Sequence, residues 1–255
     1  MFGEPPRTEY DLNFRVMDIP VRVHPFFWLI SLLLGMDGTP RQVITWIAVV
    51  FVSILVHELG HALVIRYFGW SPRIVLHSFG GLAIHDPNFS PWQSGRRPRN
   101  NHATQIMISI AGPAAGFLLA CVVIAILYAT QYKIDFPLFN RYVTFGAGRN
   151  LVEANLDVAL LVLQLLYVNI FWGLMNLMPI YPLDGGQISR ELFLANSRDG
   201  IRLSLQLSFV AAVAIAAIAL LQYQRTFLAL MFGYMAYMNY QQLSGPYGGG
   251  FGNRW

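Results

Sequence analysis

Charge is scarce in this chain. Only 12% of its 255 residues are Asp, Glu, Lys or Arg, where a soluble domain carries about 25%. Lysine is nearly missing altogether: Lys133 stands alone, and arginine supplies the rest of the positive charge. The basic residues fall mostly between apolar stretches rather than on one soluble face, which argues against nucleic-acid binding and for loop charge beside a membrane. A single cysteine, Cys121, excludes an intrachain disulfide. The first 20 residues are polar and mixed in charge, so no cleavable signal peptide is read there.

What is abundant is apolar sequence, 55% of the chain. A bilayer core needs about 20 apolar residues per helix. Six stretches are candidates: residues 25–36, 43–68, 104–130, 158–178, 203–221 and 226–240. The first is short enough to be interfacial or tilted. The fold class expected is therefore an α-helical polytopic membrane protein of about six spans, with a small β element between the second and third. That element is Arg73 to His85, where two β-prone runs flank Gly80-Gly81 and read as a hairpin. Residues 13–23 are expected to add a strand to it. Residues 1–243 are read as one membrane-embedded domain, and the Gly-rich 244–255 as a disordered tail.

The second span carries His57-Glu58-Leu59-Gly60-His61. Histidines at i and i+4 share one helix face. That spacing lets both imidazoles bind one zinc ion and sets Glu58 to act on a water beside it. Ionisable groups in hydrocarbon are costly, so they mark function by default. Catalytic zinc usually takes a third protein ligand. His24, His77, His85 and His102 sit at a span entrance, on the hairpin or in a loop, and suit ordinary surface or interfacial roles. Asp184 is the stronger candidate. It ends Asn176-Leu-Met-Pro179-Ile-Tyr-Pro182-Leu-Asp184-Gly-Gly, where two prolines break the helix and two glycines permit sharp turns. Irregular backbone at membrane depth is tolerated only where protein or a watery cavity surrounds it.

These two motifs together resemble the site-2 protease family of intramembrane zinc metalloproteases. The resemblance covers roughly residues 20–190. It implies one Zn2+ per chain, held by His57, His61 and Asp184, with Glu58 as the base. It also implies that Asn176, Pro179 and Pro182 help position substrate, and that Phe79, Gly80 and Gly81 form a membrane-associated hairpin near the substrate path. Ala111-Gly112-Pro113 resembles a further family element, though Gly116 stands where an asparagine is often found. The loop 131–155 is too short for a PDZ domain, so the chain resembles a minimal form of the family. The implied partners are transmembrane protein substrates and the lipid bilayer.

The loop holding Arg73, Arg96, Arg97 and Arg99 against Asp86 alone is expected to be cytoplasmic. Both termini and the zinc side then face the cytoplasm as well. Two other readings compete. One is a membrane zincin that uses a downstream glutamate, Glu153 or Glu191, as third ligand. The other is a catalytically silent relative that acts through partner binding; the retained Glu58 argues against it.

Overall fold

The computed structural model describes residues 4–36, 38–78, 80–85, 101–138 and 141–245. Two compact units emerge, one from residues 1–98 and 111–173, the other from 99–110 and 174–255.

The first unit begins with a mixed sheet of order β1-β2-β3-β4: Leu12–Val16, Ile19–Val23, Pro72–His77 and Gly80–His85. Strands β1 and β2 form a hairpin, β2 and β3 run parallel, and β3 and β4 form the expected second hairpin, with Leu76 opposite Gly81. So the N-terminal stretch contributes two strands where one was expected. Ile19, Val21, Val23, Ile74 and Leu76 are buried, and they share a core with Val49, Val50, Ile54 and Ala62 of the long helix α2, Pro40–Tyr67.

Helix α2 starts sharply because Thr39 and Gln42 form a reciprocal capping box and Pro40 occupies the first turn. Its 28 residues reach about 42 Å at 1.5 Å per residue, beyond the roughly 30 Å of a bilayer core. Before it, α1 (Pro25–Gly35) has 11 residues, too few to span. His24 caps α1, its Nδ1 accepting from the Phe26 amide at 3.3 Å. Burial, with His24 and Arg22 nearby, pushes His77 below its ordinary pKa, so it is neutral at physiological pH.

Arg22 ties the N-terminal residues to the sheet. Its guanidinium meets Asp11 at 2.8 Å and Glu4 at 3.0 Å and takes the Pro5 carbonyl at 2.9 Å; Arg73 meets Glu4 at 2.6 Å. Burial raises the Asp11 pKa, but hydrogen bonds from Thr8 and Arg22 outweigh it and hold the carboxyl at about 2 instead of 3.8. A lowered acid pKa means stabilisation that is complete above the ordinary value and lost as pH falls through the folded one. Residues 4–11 should therefore stay docked at pH 5 and release between about pH 4 and pH 2. Hydrogen exchange of those amides checks this, and protection unchanged at pH 2 would refute it.

The remaining elements of this unit surround a second core. They are the part of α3 (His102–Ala129) from Ala111 onward, strands β5 (Tyr132–Leu138), β6 (Arg141–Gly146) and β7 (Arg149–Asn150), and helices α4 (Leu151–Ala154) and α5 (Leu156–Tyr167). Val123, Leu127, Ile134, Phe136 and Leu166 are among its buried residues. Residues 131–155, expected from sequence to be a loop, hold a three-stranded sheet of order β6-β5-β7. Helix α5 continues into a π-helical turn, Val168–Trp172, and a last α turn α6, Gly173–Asn176.

The second unit contains α7 (Asp184–Asn196), α8 (Gly200–Leu221) and α9 (Thr226–Ser244), with Ile180, Ala212, Phe232, Met235 and Ala236 at its core. Among the described residues four helices are long and apolar enough to cross a membrane: 40–67, 102–129, 156–176 and 200–221. This is the pattern of an integral membrane protein. The first and last of the six expected spans do not join them: α1 is too short, and α9 carries Asn239, Gln241 and Gln242 among its apolar residues. The Arg-rich loop and most of the Gly-rich tail lie outside the described residues.

Candidate metal centre

His57 and His61 lie one turn apart on the buried face of α2, 4% and 7% exposed. Their Nε2 atoms are 3.2 Å apart and the rings are nearly perpendicular. Two imidazole nitrogens on one tetrahedral zinc, each about 2.05 Å from it, stand about 3.3 Å apart. The pair is thus at the spacing that a shared ion requires.

The neighbouring helix leaves room for that ion. A Cβ added at Gly112 of α3 would collide with the Nε2 atoms of both histidines. One residue earlier, the Ala111 carbonyl faces Gly60, whose own missing side chain allows the two helices to approach. Gly112 and Gly60 therefore do different jobs: the first keeps a space open, the second closes a gap. Space, donor type and donor spacing all fit a zinc ion.

Glu58 is 5% exposed. A Cβ at Gly81 would overlap its carboxyl group, so the β4 backbone lies directly against the acid. Gly80 adopts φ +121°, a conformation that favours glycine, and faces the indole of Trp172. Phe79, the third hairpin residue singled out by sequence, lies outside the described residues.

Within the second unit, the chain between α6 and α7 folds back on the start of α7. Side chains at Gly185 or Gly186 would strike the main chain of residues 177–178 and 180–181 respectively. That close approach is why two glycines follow Asp184, which is 8% exposed in the first turn of α7. Asn176 is equally buried, while Pro179 and Pro182 are half-buried. Tyr181 is held at both ends: its amide donates to Ser208 Oγ at 3.0 Å and its carbonyl accepts from Asn239 Nδ2 at 2.7 Å. Asn239 is fully buried and was not singled out by sequence, where it stands beside Gln241 and Gln242 as one of three amides near the end of α9. Asn239→Leu removes this anchor three residues before Asp184. Were Asp184 a zinc ligand, the change should weaken zinc affinity by about tenfold, the usual cost of losing an outer-shell contact, read by competition with a chelator.

Glu191, the rival third ligand, is engaged elsewhere in the same unit: its carboxylate meets His102 Nδ1 at 2.7 Å.

A family model described as Peptidase family M50 matches residues 45–221, a stretch that takes in both motifs. The chain belongs to peptidase family M50. A protein named zinc metalloprotease from Methanocaldococcus jannaschii is 27% identical over 183 residues, covering 70% of this chain and 44% of that protein. Stage IV sporulation protein FB of Bacillus subtilis is 29% identical over 183 residues, covering 69% and 48%. The chain spans about half the length of the curated relatives it matches. Among solved structures, the Site-2 Protease from Methanocaldococcus jannaschii matches with TM-score 0.55 and 21% identity, over 96% of this chain and all of that one. This likeness is one of fold. The family read from the two motifs is thus the family found.

Proposed function

We propose that this M50 member is an intramembrane zinc metalloprotease that hydrolyses peptide bonds in or near transmembrane helices of other proteins. The observation that carries the reading is the pair of Nε2 atoms at 3.2 Å beside an intact, buried Glu58 in an apolar helix. His57, His61 and Asp184 would hold the ion. Zinc bound there would polarise the scissile carbonyl and make a nearby water more acidic.

The chain's own groups do the rest. Glu58 takes a proton from the attacking water and delivers it to the departing amine. Gly81 keeps the approach to that carboxylate narrow. A helical substrate hides its carbonyls and must unwind before attack. Strand β4 ends its sheet, so among the described residues its outer edge is open to pairing with an extended segment. Gly80 and Gly81, with Phe79, belong to that hairpin; Asn176, Pro179 and Pro182 shape the broken backbone on the other proposed flank. The Arg-rich loop supports placing the zinc side and both termini in the cytoplasm.

Metal analysis tests the ligand set. Asp184→Ala should lose most of its zinc and all cleavage of a transmembrane reporter, whereas Glu191→Ala should keep both. The reverse pattern would sink the assignment and favour the glutamate-ligand alternative.

A further inference from the structure

Asn169 sits in the π-helical turn and is 2% exposed. Its Nδ2 donates to Ser53 Oγ at 2.9 Å and to the Leu165 carbonyl at 2.8 Å. A main-chain carbonyl only accepts, so the contact with Leu165 fixes which end of the amide is nitrogen. The other end, Oδ1, is buried and has no hydrogen-bond partner among the described residues. An orphan acceptor in the interior of a membrane protein is costly, and a water molecule is the usual remedy.

The space for one is present. A methyl carbon at Gly116 would lie 3.5 Å from Asn169 Oδ1 and 3.7 Å from the Asn169 carbonyl, with no other facing atom of the described residues within 4 Å. A water is about the size of that methyl. Moved slightly toward Asn169, it would donate one hydrogen to each oxygen. The carbonyl accepts from the Gly173 amide and carries a second lone pair for the water.

Location gives the site meaning. Ser53 precedes His57 by four residues on α2, and Gly116 follows Gly112 by four on α3. Each step is one helical turn along one face. Two helices therefore lead from Asn169 to the histidine pair. Resting on the protease reading above, we propose that Gly116 and Asn169 form a buried hydration site that stages the water consumed in hydrolysis. Asn169 is a positioning residue here: it holds the water, and Glu58 activates it.

A structure of the purified full chain at a resolution that reveals waters tests the site. An ordered water should lie about 2.8 Å from both Asn169 oxygens. Gly116→Ala puts a methyl there without a clash and should expel it. Loss of the staged water should lower kcat by about tenfold, the low end of outer-shell effects, with KM and zinc content unchanged. Gly116→Ser, whose hydroxyl can donate to Oδ1 in the water's place, satisfies the amide but supplies no water to consume, so it should stay as slow as Gly116→Ala; recovery of the wild-type rate would show a structural role and overturn the proposal. Clear density for Asn169 with an empty space, or a protein group donating to Oδ1, would overturn the proposal. So would Gly116→Ala cleaving at the wild-type rate. A wild-type protein that cuts nothing would instead count against the protease reading, since the density decides the site without any substrate.

Discussion

Glu58→Gln protein is expected to hold one zinc per chain and to cleave at a rate at least about a thousandfold below wild type. The amide matches the carboxylate in size, so it fills the same narrow space against Gly81. It leaves the nitrogen pair of His57 and His61 untouched. What it loses is the ability to accept a proton at neutral pH, and no other described acid of α2 stands in for it. General-base catalysis contributes about 10² to 10⁴ in rate, and here the same group also returns the proton to the leaving amine. Two measurements are needed together: zinc by mass spectrometry, and cleavage of a transmembrane reporter in membranes. In cells, substrates should accumulate uncut in the variant's membrane proteome. Retained cleavage with retained zinc would remove Glu58 from the mechanism. Lost zinc would mean that the acid holds the site together and is not simply its base.

Gly112→Ala should lose activity by the other route, through loss of the metal. Its new methyl would enter the space in front of both Nε2 atoms, where the ion belongs. One pair of atoms cannot yield without moving the other, because the two rings stack edge to face on a single helix. Zinc affinity should fall by about a hundredfold or more, the upper range for disturbing a site beyond its direct ligands, and activity with it. Alanine favours helix over glycine by about 1 kcal/mol, so α3 itself should tolerate the change, and circular dichroism should stay helical. Gly116→Ala, one turn away, meets only ordinary contacts and should keep its zinc. A Gly112→Ala protein with full zinc content would show that the histidines bind their ion from another direction.

Much of this site was legible in the sequence because its chemistry is carried by residue types that are expensive where they stand. Histidines at i and i+4 in an apolar run, and a proline-broken stretch ending in Asp-Gly-Gly, each stand out against hydrocarbon. The hairpin was legible for a similar reason: glycine pairs punctuate β-prone runs. Three features were not. Lys133, Asp135 and Thr144 put polar side chains along strands β5 and β6, and β7 has only 2 residues, so the segment reads as loop. The role of Gly112 depends on which neighbour its empty face meets, and a glycine has no side chain to announce that. Asn169 vanishes in any search for spans, because such a search rewards the apolar average and ignores the one residue that departs from it, and Asn239 is masked by the two glutamines that follow it. The count of six spans is not confirmed at the two ends, where α1 has 11 residues and α9 is diluted by amides.

The π-helical turn at Val168–Trp172 acts as a phase shifter. Each residue of an α-helix advances the azimuth by about 100°, and a π turn absorbs an additional residue within one turn. The helix from Leu156 to Asn176 is thus two screws out of step. The first is phased to set Ala159 and Leu166 into the core beside β5, and the second to bury Asn176. Removing one residue inside the turn would make the helix more regular and the protein worse. Every side chain after the deletion would swing by about a quarter of a revolution, while those before it would not notice. In the evolutionary record of this helix, point changes near the turn should be commoner than single-residue gaps.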